Sequence, residues 1–145
     1  MQHFQVVVVG AGPSGAVAAI DLKQKNMQVA LVDKADFPRD KICGDGMPLK
    51  TIRLLEELGF TEAQLFVKGF HIKGMVVYSP QGYQTPLGGL TGSSASKSGC
   101  IPRKYFDALL FRKAQQMADK TFNGWRLQKL IRHNAHWMLI LKNTQ

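Results

Sequence analysis

The chain has 145 residues, enough for one domain with its own hydrophobic core. At 45% hydrophobic and 20% charged it has the composition of a globular protein, and no run of roughly eighteen apolar residues is present to span a membrane. Nineteen Lys and Arg against ten Asp and Glu give a formal charge of +9, which favours nucleotide phosphates, phospholipid headgroups or nucleic acid without choosing among them.

Two cysteines, Cys43 and Cys100, are too few for a disulfide framework or a four-thiolate metal site. Met1-Gln2-His3 runs straight into apolar residues, with neither a charged leader nor a small-residue cleavage site. The expected location is therefore a reducing cytoplasm.

Residues 4–9 form an apolar, β-branched run that fits a strand buried on both faces of a parallel sheet. Gly10-Ala11-Gly12-Pro13-Ser14-Gly15 follows at once. The pattern then predicts a helix over Ala16–Lys25 and a second strand over Met27–Val32 that ends at Asp33. Strand, helix and strand within about thirty residues make a parallel βαβ unit.

Lys34 to Met47 carries no clear period and reads as a loop. Pro48 suits the first turn of a helix, in which Leu49, Ile52, Leu55 and Leu58 recur until Gly59 stops it. Thr61 and Gln64 have capping-box spacing. Gly69–Ser79 and Tyr83–Leu87 predict a hairpin around Pro80-Gln81-Gly82. Gly88–Gly99 is Gly/Ser-rich and reads as a mobile loop. Arg103–Lys120 predicts a helix with Phe106, Leu109, Leu110, Ala114 and Met117 inward, and two short strands, Trp125–Ile131 and His136–Leu141, close the chain.

The glycine spacing G-x-G-x-x-G gains its meaning from the strand before it and the helix after it. Gly10 permits the tight turn, Gly12 lets a pyrophosphate approach the backbone, and Gly15 lets the helix pack closely on the sheet. The phosphates then meet the helix N-terminus, where unpaired N–H groups and the dipole favour negative charge. Pro13 and Ser14 open that helix, and Pro13 loses nothing there because its missing N–H has no intrahelical partner. Asp33 lies 18 residues beyond Gly15, where a carboxylate accepts hydrogen bonds from the adenosine ribose and repels a 2′-phosphate.

Three stretches carry a family resemblance. Gly-Ala-Gly-Pro-Ser-Gly near the N-terminus resembles the FAD-dependent oxidoreductases that include aromatic hydroxylases, halogenases and geranylgeranyl reductases. Phe37-Pro38-Arg39-Asp40-Lys41-Ile42-Cys43-Gly44-Asp45-Gly46 is most similar to the geranylgeranyl reductase branch, in which an Arg-x-Lys-x-Cys-Gly stretch approaches the flavin. Ile101-Pro102-Arg103, followed by Phe106-Asp107 and Leu110, resembles a third landmark, in which the arginine opens a helix beside the cofactor.

The resemblance implies an α/β fold: a Rossmann-like FAD-binding βαβ unit with an inserted β-hairpin, truncated relative to the full family fold. It implies FAD as cofactor, NAD(P)H as an electron donor and a hydrophobic, isoprenoid-like substrate. The expected cofactor contacts are Gly10, Gly12, Pro13, Ser14, Gly15, Asp33, Lys34, Arg39, Lys41, Cys43, Gly44 and Arg103. No residue is assigned as catalytic.

Physical chemistry gives these residues independent reasons. Arg39 and Lys41 place two cations on a loop leaving the carboxyl end of the sheet, where ligands bind in doubly wound folds. Arg103 at a helix start is electrostatically unfavourable to that helix, so an anionic neighbour such as the pyrophosphate rationalises it. Cys43 is either a thiol activated by those cations or a small residue that fits the flat ring. His133 and His136 lie three apart without helical period or a third ligand, so no metal site is expected.

Members of the resembled family carry a later Gly-Asp-Ala segment and a substrate domain, and both are expected to be absent from residues 1–145. The expectation is a partial FAD-binding domain with one more parallel strand supplied near Cys100. So narrow a sheet leaves a flank of Val6–Val9 open, which favours self-association. Three functions compete: a flavoprotein oxidoreductase, a nucleotide-binding remnant without catalysis, and a nucleic-acid binder. The third would use Arg126, Lys129, Arg132 and Lys142 with Trp125 and Trp137, but a basic hairpin is usually a solvated face, so nucleic acid is not an expected partner. The positive charge leaves peripheral membrane contact open.

Overall fold

A computed structural model describes residues 1–42, 44–87 and 98–144. Two compact units divide the chain, one of residues 1–41 with 104–145 and one of residues 42–103.

The first unit opens with the predicted βαβ arrangement. Strand β1 (Val6–Val9) leads through the glycine loop into helix α1 (Pro13–Gln24) and then strand β2 (Val29–Asp33). The two strands pair in parallel, from Val6 opposite Val29 to Val9 opposite Val32. Such pairing needs a crossover, and α1 supplies it. The helix starts three residues earlier than the apolar pattern indicates, because Pro13 pre-sets the helical φ at its first position. Its buried residues, Ala16, Ala19 and Ile20, include two that are small enough for close packing on the sheet.

In the second unit, strand β3 (Gly46–Met47) precedes helix α2 (Leu49–Glu57). Pro48 stands just before this helix as its N-cap and not within the first turn. Ile52, Leu55 and Leu58 are buried as their spacing requires, and Gly59, at φ +80°, ends the run. Helix α3 (Glu62–Leu65) has the predicted capping box: Thr61 Oγ1 accepts the Gln64 N–H, and Gln64 Oε1 accepts the Thr61 N–H.

The predicted hairpin forms over a shorter span. Strand β4 (Phe70–His71) stands apart from it, while β5 (Met75–Tyr78) and β6 (Gln84–Leu87) pair antiparallel around Gly82 at φ +85°. Most of the Gly88–Gly99 loop lies outside the described residues. Its end is a strand, β7 (Gly99–Cys100), which pairs antiparallel with both β3 and β4. A Cβ on Gly99 would lie 2.0 Å from the Phe66 ring, so glycine lets that ring cover the strand. The segment near Cys100 is therefore not the third parallel strand.

That strand is β8 (Lys120–Asn123), which follows helix α4 (Arg103–Met117) and pairs in parallel with β2, from Ala30 opposite Lys120 to Asp33 opposite Asn123. The order β1-β2-β8 makes β2 the central strand, with all five residues buried. Strand β1 is an edge strand among the described residues, in line with the open flank expected of Val6–Val9, but its expected burial on both faces is corrected: it is only partly buried, with Val9 49% exposed. On α4, Phe106, Leu110 and Ala114 are buried as predicted, Leu109 and Met117 only in part, and Asp107 and Phe111 join the interior. The chain continues as an antiparallel hairpin of β9 (Trp125–His133) and β10 (His136–Asn143), longer than predicted and bulged between Ile140 and Leu141.

Candidate functional site

The carboxyl ends of β1 and β2 open onto a cavity of about 460 Å³, within the range of small-molecule sites. Val9, Gly10, Val32 and Asp33 form its floor, and Lys34, Ala35, Arg39 and Lys41 come from the following loop. Trp125, Arg126 and Leu127, at the start of β9, close a further side. Four cations thus surround one carboxylate, an electrostatic setting for an anionic ligand.

The three glycines have distinct jobs. Gly10 sits at φ +101°, a conformation that a side chain would strain. A Cβ on Gly15 would fall 1.7 Å from the Gly10 carbonyl oxygen, so the helix can begin against the loop only if residue 15 has no side chain. For Gly12 the neighbour is a surprise: its Cβ would lie 3.3 Å from Arg39 Nη2. The missing side chain therefore admits the guanidinium to the loop.

Asp33 holds the loop from the other strand. Its Oδ2 accepts the Ala11 N–H at 2.6 Å and its Oδ1 accepts the Ala35 N–H at 2.8 Å. A carboxylate has about four acceptor positions, so these two bonds leave room for ribose hydroxyls. The sequence spacing located Asp33 in the cavity wall but carried no sign of its bond to the glycine loop. The loop beyond β2 is pinned as well, by Asn123 Nδ2 donating to Asp36 Oδ1 and by Thr144 Oγ1 donating to the Lys34 carbonyl at 3.0 Å.

Helix α1 begins without a side-chain cap. Gly12 is its N-cap, no acidic residue stands in its first turn, and Pro13 and Ser14 occupy its first two positions. The N–H groups of a first helical turn have no intrahelical partner, and here no carboxylate of the helix competes for them. The uncapped helix start, the glycine loop, the cations and Asp33 fit a dinucleotide pyrophosphate and its adenosine.

Of the predicted residues, Gly10, Asp33, Lys34, Arg39 and Lys41 line this cavity. Cys43 is outside the described residues. Gly44 and Arg103 belong to the second unit. Arg103 opens α4, and Asp45 Oδ1 accepts its backbone N–H at 3.2 Å. Trp125 and Leu127 were missed as wall residues: alternating burial along β9 is a structural signal, and their sequence neighbourhood reads only as a basic strand. His133 and His136 stack across their turn, and no group of three metal-ligating side chains occurs among the described residues.

The family description "FAD binding domain" matches residues 3–141. The menaquinone reductase of Mycolicibacterium smegmatis is 50% identical over 54 residues, covering 37% of this chain and 13% of that protein. The digeranylgeranylglycerophospholipid reductase of Methanocaldococcus jannaschii is 26% identical over 96% of this chain and 33% of its own length. A tryptophan 2-halogenase and a flavin-dependent halogenase are also among the relatives. A geranylgeranyl bacteriochlorophyll reductase-like protein from Thermoplasma acidophilum shares the fold, with a TM-score of 0.79 and 20% identity over 98% of this chain and 36% of that one. The chain spans about a third or less of the length of the curated relatives it matches. With the family match running over nearly its whole length, the chain belongs to the FAD binding domain family.

Proposed function

We propose that this chain binds the ADP half of FAD in the cavity at the glycine loop, as part of a flavoprotein oxidoreductase acting on a hydrophobic, isoprenoid-like substrate. The observation that carries the reading is the cavity itself: Lys34, Arg39, Lys41 and Arg126 line it with Asp33, and Gly10 of the glycine loop is in its wall. In this reading the pyrophosphate lies at Gly12, Pro13, Ser14 and Gly15 under the influence of Arg39 and Lys41. The ribose meets Asp33, and Trp125 and Leu127 give the adenine an apolar wall. Bound FAD would supply the redox chemistry, with NAD(P)H as the source of electrons, while this chain binds and orients the cofactor.

The geranylgeranyl reductase branch is favoured over its sister branches by the Arg39-x-Lys41-x-Cys43-Gly44 stretch and by the reductases among the relatives. The test is a titration of the purified chain with FAD, followed by flavin absorption and fluorescence, with ADP as competitor. Saturable binding that ADP displaces supports the reading, and its absence overturns it. Chemically reduced flavin and a geranylgeranyl lipid are then supplied together, and mass spectrometry follows the gain of two hydrogens per reduced double bond. Binding without such gain favours a nucleotide-binding module without catalysis.

A further inference from the structure

We infer that Asp107 and Phe37 are positioning residues that hold Arg39 as a ready-made phosphate clamp over the glycine loop; this rests on the cofactor reading above. The carboxylate of Asp107 is fully buried, and its Oδ2 lies 3.4 Å from Arg39 Nη1. Burying a carboxylate is costly unless it is paired, so the pair commits one edge of the guanidinium to α4. The central carbon of the same guanidinium lies over the Phe37 ring, 4.9 Å from its centroid. Phe37 in turn stacks on Phe111, with centroids 4.2 Å apart and planes within 10°.

Asp107 and Phe111 are four residues apart and therefore neighbours on one face of α4. One helical face thus fixes two residues of the loop, Phe37 through its ring and Arg39 through its charge. The other end of the guanidinium, Nη2, is the atom that a Cβ on Gly12 would meet. A guanidinium has five N–H donors in a rigid fork, so the pair with Asp107 leaves donors for an anion at Gly12. A long side chain already fixed in its bound position has less freedom to lose when the anion arrives.

The test uses calorimetric titration of the parent, Asp107→Asn, Phe37→Leu, Arg39→Ala and the double variant Asp107→Asn/Arg39→Ala, each with ADP and with adenosine. Adenosine lacks phosphate and reports on the rest of the site. The expected result is a loss of about tenfold in ADP affinity for Asp107→Asn with adenosine affinity unchanged. In the Arg39→Ala background, Asp107→Asn should add nothing. Equal losses for ADP and adenosine, unchanged ADP affinity, or additive effects in the double variant would overturn the inference. If circular dichroism shows that Asp107→Asn does not fold, Phe37→Leu carries the test, and it must show the same phosphate-selective loss or the inference is wrong. A parent that binds no ADP overturns the cofactor reading and the clamp with it, whereas a parent that binds ADP beside unselective variants overturns the clamp alone.

Discussion

Asp33 and Ala11 are 22 residues apart, yet the Asp33 carboxylate accepts the Ala11 N–H at 2.6 Å and so ties the end of β2 to the loop leaving β1. The Gly10 N–H donates to the Val32 carbonyl at 2.7 Å beside it. Ala11 is fully buried, so its N–H has no solvent contact in the parent. Removing the acceptor leaves an unsatisfied donor, at a cost of about 1.5–3 kcal/mol for a bond to a charged group. Asp33→Ala should therefore lower stability by roughly that amount in urea unfolding and weaken ADP binding, because the loop loses its anchor. Asp33→Asn keeps one acceptor oxygen and should recover part of the stability. An Asp33→Ala variant as stable as the parent would show that the bond is dispensable.

Two glycine substitutions separate folding from binding. Gly15→Ala drives a methyl group onto the Gly10 carbonyl, a backbone atom that cannot swing aside. Its cost should reach or exceed the upper end of the range of about 1–3 kcal/mol for overpacking. Gly12→Ala meets only the far end of the Arg39 side chain, at 3.3 Å. It should unfold near the parent's midpoint while binding ADP more weakly, since Arg39 must move. Comparable thermal midpoints for the two variants would contradict this contrast.

The parts of this fold that were legible in sequence are those fixed by local chemistry. The βαβ unit follows from an apolar run, three glycines and Asp33 in close succession, and the Thr61–Gln64 capping box satisfies its own donors within four residues. The strand Lys120–Asn123 was hidden because nothing local marks it: Lys-Thr-Phe-Asn is short, mixed in polarity and continuous with a helical pattern. It becomes a strand by pairing with β2, ninety residues earlier in the chain. The partial burial of β1 is hidden for a related reason. Four valines look the same in a central or an edge strand, and only the position of β8 makes β2 the centre. In the site, glycine spacing and Asp33 were readable, but the reach of Arg39 to Gly12 depends on α4, a distant element.

Acid should loosen the first unit through Asp119. Its carboxylate accepts from Lys23 Nζ at 2.8 Å and from the Val29 N–H at 2.7 Å, tying α1 and β2 to the segment before β8. The Lys23 hydrogen bond, and then that from Val29, hold its pKa below the usual aspartate value. A folded-state pKa lower than the unfolded one means that protonation favours unfolding. The contribution is fully present above the ordinary aspartate value of 3.8 and is lost as pH falls through the lower folded pKa. Asp119→Asn should be less stable than the parent at neutral pH, and the gap should narrow as pH drops below that value. Urea midpoints measured from neutral pH down into that acid range check this, and a gap that stays constant would remove Asp119 from the acid response.

The cavity lining also predicts how the two halves of the cofactor share the binding energy. Every charged wall residue, Asp33, Lys34, Arg39, Lys41 and Arg126, is of a kind that meets phosphate or ribose, and the aromatic wall residue Trp125 suits adenine. The ADP moiety should therefore supply most of the affinity of the 145-residue chain, and ADP and FAD should bind within about tenfold of each other, a difference of about 1.4 kcal/mol. Because cations dominate the wall, both affinities should fall as salt rises, since added ions screen exposed charges beyond about 10 Å at 0.1 M. Adenosine, with no phosphate, should bind more weakly than ADP and respond much less to salt. Parallel calorimetric titrations of the three ligands at low and moderate ionic strength decide the matter. FAD binding a hundredfold tighter than ADP, about 2.7 kcal/mol, would mean that the isoalloxazine ring has its own strong contacts on this chain and that the assignment of affinity to the phosphate end is wrong.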